Sequence, residues 1–280
     1  MKRFPALGLC LFAIAVQAKA ATVSKITSAE TKAQAIIEQL RVASNKRRTM
    51  KADFSLIENG RTRYKGTLNL MKPNLFRATY NDIRNRAAPE HIEINDGNFT
   101  WLYPYPFDDS NKYLRSKLQV SNEVQVMLPT SVQFPILSFY DVCEALQNEQ
   151  LVEDPQPASE FKFVGQQQWN NATYRVLQLD KVNTRDDKTK YHSTTWIYVG
   201  SDDIVRRQVV HLYVPNPKDS RRNLTLSFAM ELFNVKLDAS PGKADFQWMP
   251  PQGASEWKGT AKDLMKQYEA RMQNDRVKIP

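Results

Sequence analysis

Three histidines are the first candidates for metal binding or acid–base chemistry in this chain. His91, His192 and His211 lie on predicted strands, and none has a second His or Cys at ligand spacing. A zinc site needs three or four protein ligands, so hydrogen-bonded or solvent-facing histidines are the favoured interpretation. We therefore predict no metal and no cofactor.

Three pairs of adjacent aspartates could supply acid–base catalysis. All lie in predicted turns, where aspartate is favoured because its carboxylate accepts hydrogen bonds from nearby backbone; the pairs are Asp108-Asp109, Asp186-Asp187 and Asp202-Asp203. No G-x-S-x-G elbow, H-E-x-x-H, P-loop or Gly-rich dinucleotide turn accompanies them. A hydrolase with a scattered acid pair stays an open alternative, but the sequence favours a protein that is not an enzyme.

The first twenty residues have the pattern of an export signal. Lys2 and Arg3 precede an apolar run over 7–16, and Ala18-Lys19-Ala20 fits the small-x-small motif of a cleavage site. The apolar run is too short to span a bilayer. We expect cleavage after Ala20 and a protein that is exported from the cytoplasm.

Cysteine usage is compatible with export. Cys10 follows Leu9, whereas lipidation requires a small residue there, so lipoprotein processing is disfavoured. Cleavage would leave Cys143 as the single thiol, and we expect a small buried apolar residue there.

Composition and charge exclude several classes of protein. The 280 residues are 41% hydrophobic and 25% charged, which excludes a disordered or fibrous chain. Loss of Lys2, Arg3 and Lys19 lowers the formal net charge from +9 to +6. The remaining basic residues are scattered, which favours solvated surface charge and no nucleic-acid partner. Attraction to anionic headgroups or to an acidic partner is the alternative.

Periodicity predicts a helix followed by short antiparallel strands. Thr27 and Glu30 form a capping box ahead of apolar residues at helical spacing. From Met50 the period becomes two, with turns at Asn59-Gly60 and Asp96-Gly97. Further strands are predicted over 161–164, 174–179, 193–199, 204–214 and 223–237.

Two other segments have helical patterns. Residues 121–151 carry apolar residues at mixed spacings after Pro135, and residues 260–272 have them at helical spacing. The Pro-rich stretch 153–157 is interpreted as a linker between elements, because strands return on both sides. We therefore predict a single domain over 21–280.

Aromatic side chains crowd the strands over 76–107 and 196–233. They could form an ordinary β-core. Alternatively, the sheet curls around an apolar cavity that helices cover, an arrangement that often holds a hydrophobic ligand.

Four segments in order resemble the periplasmic outer-membrane lipoprotein carriers, the LolA-like family. They are GTLNLMKPNLFRATY (66–80), EINDGNFTWLYPYPF (93–107), FPILSFYDV (134–142) and DFQWMPPQGA (245–254). The resemblance runs from about Ala29 to Glu256. It implies a half-open, strongly curved antiparallel β-barrel lidded by α-helices over 121–151, with the C-terminal helix over 260–272 as an addition.

The resemblance also implies a function and a set of site residues. The cavity would hold acyl chains of lipids or lipoproteins, with an inner-membrane donor and an outer-membrane acceptor as partners of a monomer. We expect its lining to comprise Leu68, Leu70, Phe76, Trp101, Tyr103, Ile136, Phe139, Tyr140, Leu224, Leu226, Phe228 and Met230.

Lys72 takes the position of the family's basic residue that ties barrel to lid. Arginine is usual there, and a lysine lacks its planar set of donors, so the tie would be bonded differently. Because one fold can serve several functions, a periplasmic lipid or lipoprotein sensor that acts through protein contact remains the alternative.

Overall fold

The structure is a computed structural model, and it describes residues 28–104, 111–117, 161–184, 190–216 and 219–258. Within these residues the elements are one helix, twelve strands and a short 3₁₀ turn. Their bounds are α1 Ser28–Lys46, β1 Thr49–Glu58, β2 Arg61–Met71, β3 Leu75–Asp82, β4 His91–Asn95, β5 Phe99–Tyr103, β6 Lys112–Lys117, β7 Lys162–Trp169, β8 Ala172–Thr184, β9 Lys190–Val199, β10 Val205–Asn216, β11 Asp219–Leu237, the 3₁₀ turn Lys243–Phe246 and β12 Ser255–Glu256.

The helix α1 is amphipathic, as its sequence pattern predicts. Its buried side chains are Ala33, Ile36, Ile37, Leu40 and Ser44, which follow the three- and four-residue spacing of one helical face. Glu30 in its first turn and Lys46 in its last turn complement the helix dipole. Within the described residues, no helix combines the length and apolar character needed to cross a membrane.

Glycine is required at two places in the first hairpins. Asn59 and Gly60 have φ of 49° and 76°, which suits the two-residue turn between β1 and β2. Farther along β2, a Cβ at Gly66 would lie 2.2 Å from the carbonyl oxygen of Thr79. Strands β2 and β3 can therefore approach this closely only with glycine at 66.

The strands form one open sheet in the order β12-β6-β5-β4-β3-β2-β1-β11-β10-β9-β8-β7. It consists of two meanders, β1 to β6 and β7 to β11, which join where β1 pairs antiparallel with β11. Among the described strands, every neighbouring pair is antiparallel except β12 and β6, which run parallel. In the part of the chain that the structure describes, β7 and β12 are the edges, and the sheet is not closed.

Ring contacts measure how strongly the sheet curves. Trp169 on β7 and Phe233 on β11 have ring centroids 6.1 Å apart, although β8, β9 and β10 lie between their strands. Strands in a flat sheet are about 4.8 Å apart, so four steps would separate these backbones by roughly 19 Å. The sheet must therefore curl so that its edge strand β7 approaches β11.

Two buried clusters divide the core. The first joins strands β1, β2, β3, β10 and β11. The second packs α1 against β8, β9 and the start of β10; Phe161 is buried within it, and Phe163 on β7 packs against it. The helix thus covers one end of the sheet.

The sequence predictions differ from the structure mainly at short strands. Both predicted hairpins are present, and the later strands are longer than predicted, with β11 beginning at Asp219. The sequence reading missed β6 and β12. Three predicted segments lie outside the described residues: the signal peptide, the helices over 121–151 and the C-terminal helix over 260–272.

Candidate apolar binding face

One side of the sheet carries buried apolar side chains from neighbouring strands, and we call it the apolar face. Residues two apart on a strand point to the same side, and the register aligns them, with Leu68 opposite both Ala52 and Ala78. Its buried cluster comprises Met50, Ala52, Phe54, Leu56, Tyr64, Leu68, Leu70, Phe76, Ala78, Tyr80, Ile204, Val210, Met230 and Leu232.

The structure brings five of the predicted site residues together on the apolar face. Leu68, Leu70, Phe76 and Met230 are fully buried in the cluster, and Phe228 packs against it half-buried. Their strands meet because β1 lies between β2 and β11 in the sheet. The register of β1 against β2 and β11, and of β2 against β3, places these side chains on one face.

Two further predicted residues continue this face along β11. Leu226 lies opposite Leu212, and Leu224 lies opposite Val214 on β10. Both leucines are partly exposed. The apolar face therefore becomes more accessible towards this end of β11.

The structure does not bring Trp101 and Tyr103 together with the others. On β5 the side chain that shares the apolar face is Leu102, which lies between them and is buried. The indole of Trp101 instead packs on the opposite face, 5.6 Å from Trp248. The prediction that Trp101 and Tyr103 share a face with the other lining residues is wrong. Along β5 these two residues alternate with Leu102, which is the one that lies on the apolar face.

Three predicted lining residues cannot be placed on either face. Ile136, Phe139 and Tyr140 lie outside the described residues, as does the rest of the predicted lid over 121–151.

Lys72 joins the sheet to the end of α1. It lies in the turn between β2 and β3, and its Nζ donates a hydrogen bond to the carbonyl oxygen of Ser44. The Oγ of Ser44 is 3.4 Å from the same nitrogen. A cation beside the last carbonyls of a helix also complements the helix dipole.

Polar residues interrupt the apolar face on β4 and β5, and sequence analysis missed them. Glu93 and Thr100 are buried on the side that carries Ala78 and Leu102, because Glu93 pairs with both residues. The Oγ1 of Thr100 has no hydrogen-bond partner among the described residues. The isoleucines at 92 and 94 point to the other side of β4 and give the strand an apolar sequence. The sequence therefore did not indicate a polar row here.

Tyr80 connects this polar row to the aromatic side chains of β2 and β3. Its ring stacks on His91 at 5.0 Å and meets Tyr64 edge-on at 5.5 Å. Burial, and then the charge of Glu93, raise the pKa of Tyr80 well above its usual range. The phenol therefore stays neutral and can hydrogen-bond, but it cannot act as a base near neutral pH.

A separate groove lies at the C-terminal half of α1. It has a volume of about 480 Å³ and is lined by Glu38, Gln39, Val42, Ala43, Lys46, Arg47, Asp203 and Asp238. Most of these side chains are charged or polar. The groove is therefore chemically unlike the apolar lining that an acyl chain requires.

Acidic residues and histidines do not converge in the described ranges. The predicted turn position of Asp202 and Asp203 is confirmed between β9 and β10, where Asp203 has φ of 53°. Within residues 28–104, 111–117, 161–184, 190–216 and 219–258, no group of three or more His, Cys, Asp or Glu could hold a metal ion.

No protein-family model matches the sequence, and no curated protein matches it. Solved structures do resemble the chain. The lipoprotein LppX of Mycobacterium tuberculosis is 9% identical, and the match covers 76% of this chain and 98% of that chain with a TM-score of 0.38. A LolA superfamily protein from Nitrosomonas europaea is 8% identical over 77% of this chain and 97% of that chain, with a TM-score of 0.31.

A third similar structure comes from Vibrio parahaemolyticus and is described as an outer membrane lipoprotein-sorting protein domain. It is 10% identical over 78% of this chain and 97% of that chain, with a TM-score of 0.32. LolA-superfamily and lipoprotein-sorting domains are thus among the structures that this chain resembles, as its sequence motifs predict.

Proposed function

We propose that this protein is a non-catalytic periplasmic carrier for acyl chains of lipids or lipoproteins. The chains lie against the apolar face, and the protein passes its cargo towards the outer membrane as a monomer. An inner-membrane donor and an outer-membrane acceptor would be its partners.

The observation that supports this proposal most is the continuity of the apolar face on an open sheet. Buried side chains follow one another across β3, β2, β1, β11 and β10, and the sheet that carries them does not close on itself. Each methylene removed from water contributes about 0.8 kcal/mol. The members of this face that are only partly buried, Leu212, Leu224, Leu226 and Phe228, can therefore shield the methylenes of an acyl chain from water.

A carrier must also release what it binds. Two conformations of nearly equal free energy, one closed over the cargo and one open, meet that requirement. In the proposal the segment 121–151 is the movable cover. The hydrogen bond from Lys72 to Ser44 fixes α1 to the sheet, so that the cover has a stable frame to close against.

Native mass spectrometry of the exported protein, purified without detergent, tests the proposal. We expect masses above that of the polypeptide that correspond to bound lipid, together with saturable binding of a fluorescent fatty acid. A protein that carries no lipid and ignores the fatty acid would contradict the proposal. Lipid binding without transfer to acceptor membranes would instead favour the sensor.

A further inference from the structure

Among the residues that the structure describes, Met249 in the segment after β11 is the most exposed large apolar side chain. It is 85% exposed, whereas its neighbour Trp248 is largely covered by other rings. We call residues 248–253 the C-terminal tip. Isolated exposed apolar residues are common on protein surfaces. Whether the exposure of Met249 indicates a function therefore depends on the residues around it.

The tip is anchored on the face of the sheet opposite the apolar face. Trp248 lies 5.6 Å from Trp101, 5.7 Å from Tyr103 and 5.9 Å from Tyr113, measured between ring centroids. After the tip, the backbone N–H of Trp257 donates to the carbonyl of Tyr113 at 2.8 Å. These contacts fix both ends of the tip to the sheet, and Met249 points away from it.

The rings beneath the tip are amphipathic and only partly covered. Trp101 donates its Nε1–H to Asp96 at 2.8 Å, and Tyr103 donates its hydroxyl to Asn111. The Trp101 and Tyr103 rings thus each have one hydrogen-bonded polar end and a partly buried apolar body. Tryptophan and tyrosine with this character prefer the boundary between a bilayer and water.

Three exposed lysines lie on β6 and on the C-terminal segment, which together carry this surface. Lys117 lies on β6, and Lys243 and Lys258 lie before and after the tip on the C-terminal segment. Arg115 on β6 is 3.3 Å from Glu256, so that acidic residue is already neutralised by a neighbour. Asp96, which bonds Trp101, and Asp245 on the C-terminal segment offset part of the lysine charge. The three lysines against these two carboxylates leave an excess of one positive charge, which is complementary to an anionic surface.

We propose that the C-terminal tip docks this protein on anionic phospholipid bilayers. Met249 enters the acyl boundary, the four rings lie at headgroup level, and the three lysines contact lipid phosphates. Each basic residue near an anionic bilayer contributes about a fivefold gain in affinity. The charge around the tip favours lipid over an apolar site on a partner protein, and the proposal does not depend on cargo binding.

Flotation of the full chain with vesicles tests this proposal. We expect binding to vesicles of phosphatidylglycerol and phosphatidylcholine, weaker binding to phosphatidylcholine alone, and loss of binding at high salt. Met249→Asp should weaken partitioning by about tenfold or more, because it removes the buried methionine. Val182→Asp is the matched control, since Val182 is 60% exposed on the distant strand β8 and should leave binding unchanged.

Several outcomes would overturn the proposal. These are no flotation with either vesicle, equal flotation of Met249→Asp and wild type, or an equal loss in Val182→Asp. Flotation that survives alanine at Lys117, Lys243 and Lys258 would contradict the electrostatic contribution. Fatty-acid binding measured without vesicles should be unchanged in Met249→Asp, which separates failed docking from failed cargo binding.

Discussion

At the scale of single residues, Arg207 shows how a charge stabilises the curled corner of the sheet. Its guanidinium carbon lies 5.3 Å from the centre of the Trp169 ring and 5.2 Å from that of Tyr198. Its Nε is 3.1 Å from Glu231. Such cation–π contacts are worth about 0.5–2 kcal/mol each. Together with the contact to Glu231, they make one side chain link the first and last strands of the β7–β11 meander.

Glu231 should make stability depend on pH. Burial raises its pKa above the ordinary value of 4.5, and the charge of Arg207 offsets only part of that effect. The folded chain therefore binds this proton more tightly than the unfolded chain. Its contribution to stability is present below pH 4.5 and is lost as the pH rises through the raised folded value.

We expect Glu231→Gln to remove that dependence. Urea unfolding from acidic to neutral pH should show wild type losing stability relative to the variant as the pH rises. Other carboxylates titrate in both proteins, so their effects cancel in the difference. Parallel curves for the two proteins would contradict the assignment.

At the scale of elements, the fixed relation between α1 and the β2–β3 turn depends on Lys72. Lys72→Ala removes the donor to the Ser44 carbonyl at the end of the helix. We expect a loss of about 1–2 kcal/mol of stability and faster hydrogen exchange in the last turn of α1. Lys65→Ala, at an exposed position on the preceding strand β2, is the control; equal effects of both substitutions would refute the role of Lys72.

The strand β11 should supply part of the cargo surface through its apolar side. Leu226→Glu and Phe228→Asp place a charge on that side, where desolvation by an acyl chain is costly. We expect both to abolish binding of a fluorescent fatty acid in a folded protein. Thr225→Glu, exposed on the opposite side of β11, should bind normally; retained binding by Leu226→Glu would show that the cargo lies elsewhere.

The same elements show what the sequence could and could not predict. Long alternating strands such as β11 and turns such as Asn59-Gly60 were predictable, because both signals are local. Strand β6 has the sequence KYLRSK, which contains no clear alternation, and β12 has only two residues. Their pairing depends on contacts with β5 and with each other, which no local pattern records.

The candidate site was predictable in part for a related reason. The resemblance implied that Trp101 is a lining residue, but the face on which it lies depends on the register of β5 against β4. Its contact with Trp248 joins residues 147 positions apart in the chain, and periodicity carries no information at that separation. Burial of Glu93 was not predictable, because an acidic residue between two isoleucines fits the alternating pattern of an ordinary strand.

At the scale of the whole molecule, the two faces of one open sheet divide the proposed work. The apolar face offers a surface for acyl chains, and the opposite face carries the aromatic base of the C-terminal tip. Cargo binding and membrane docking would then use different side chains. Variants on either face can therefore be combined, and their effects should be additive because the groups share no contacts.

Photocrosslinking with a fatty acid that carries a diazirine on its chain tests the central claim most directly. After saturable labelling, mass spectrometry should locate adducts on alternate residues of β10 and β11, at positions such as Leu212, Leu226 and Phe228. Excess unlabelled fatty acid should prevent them. Adducts confined to the opposite face, or labelling that never saturates, would contradict a carrier that holds acyl chains on its apolar face.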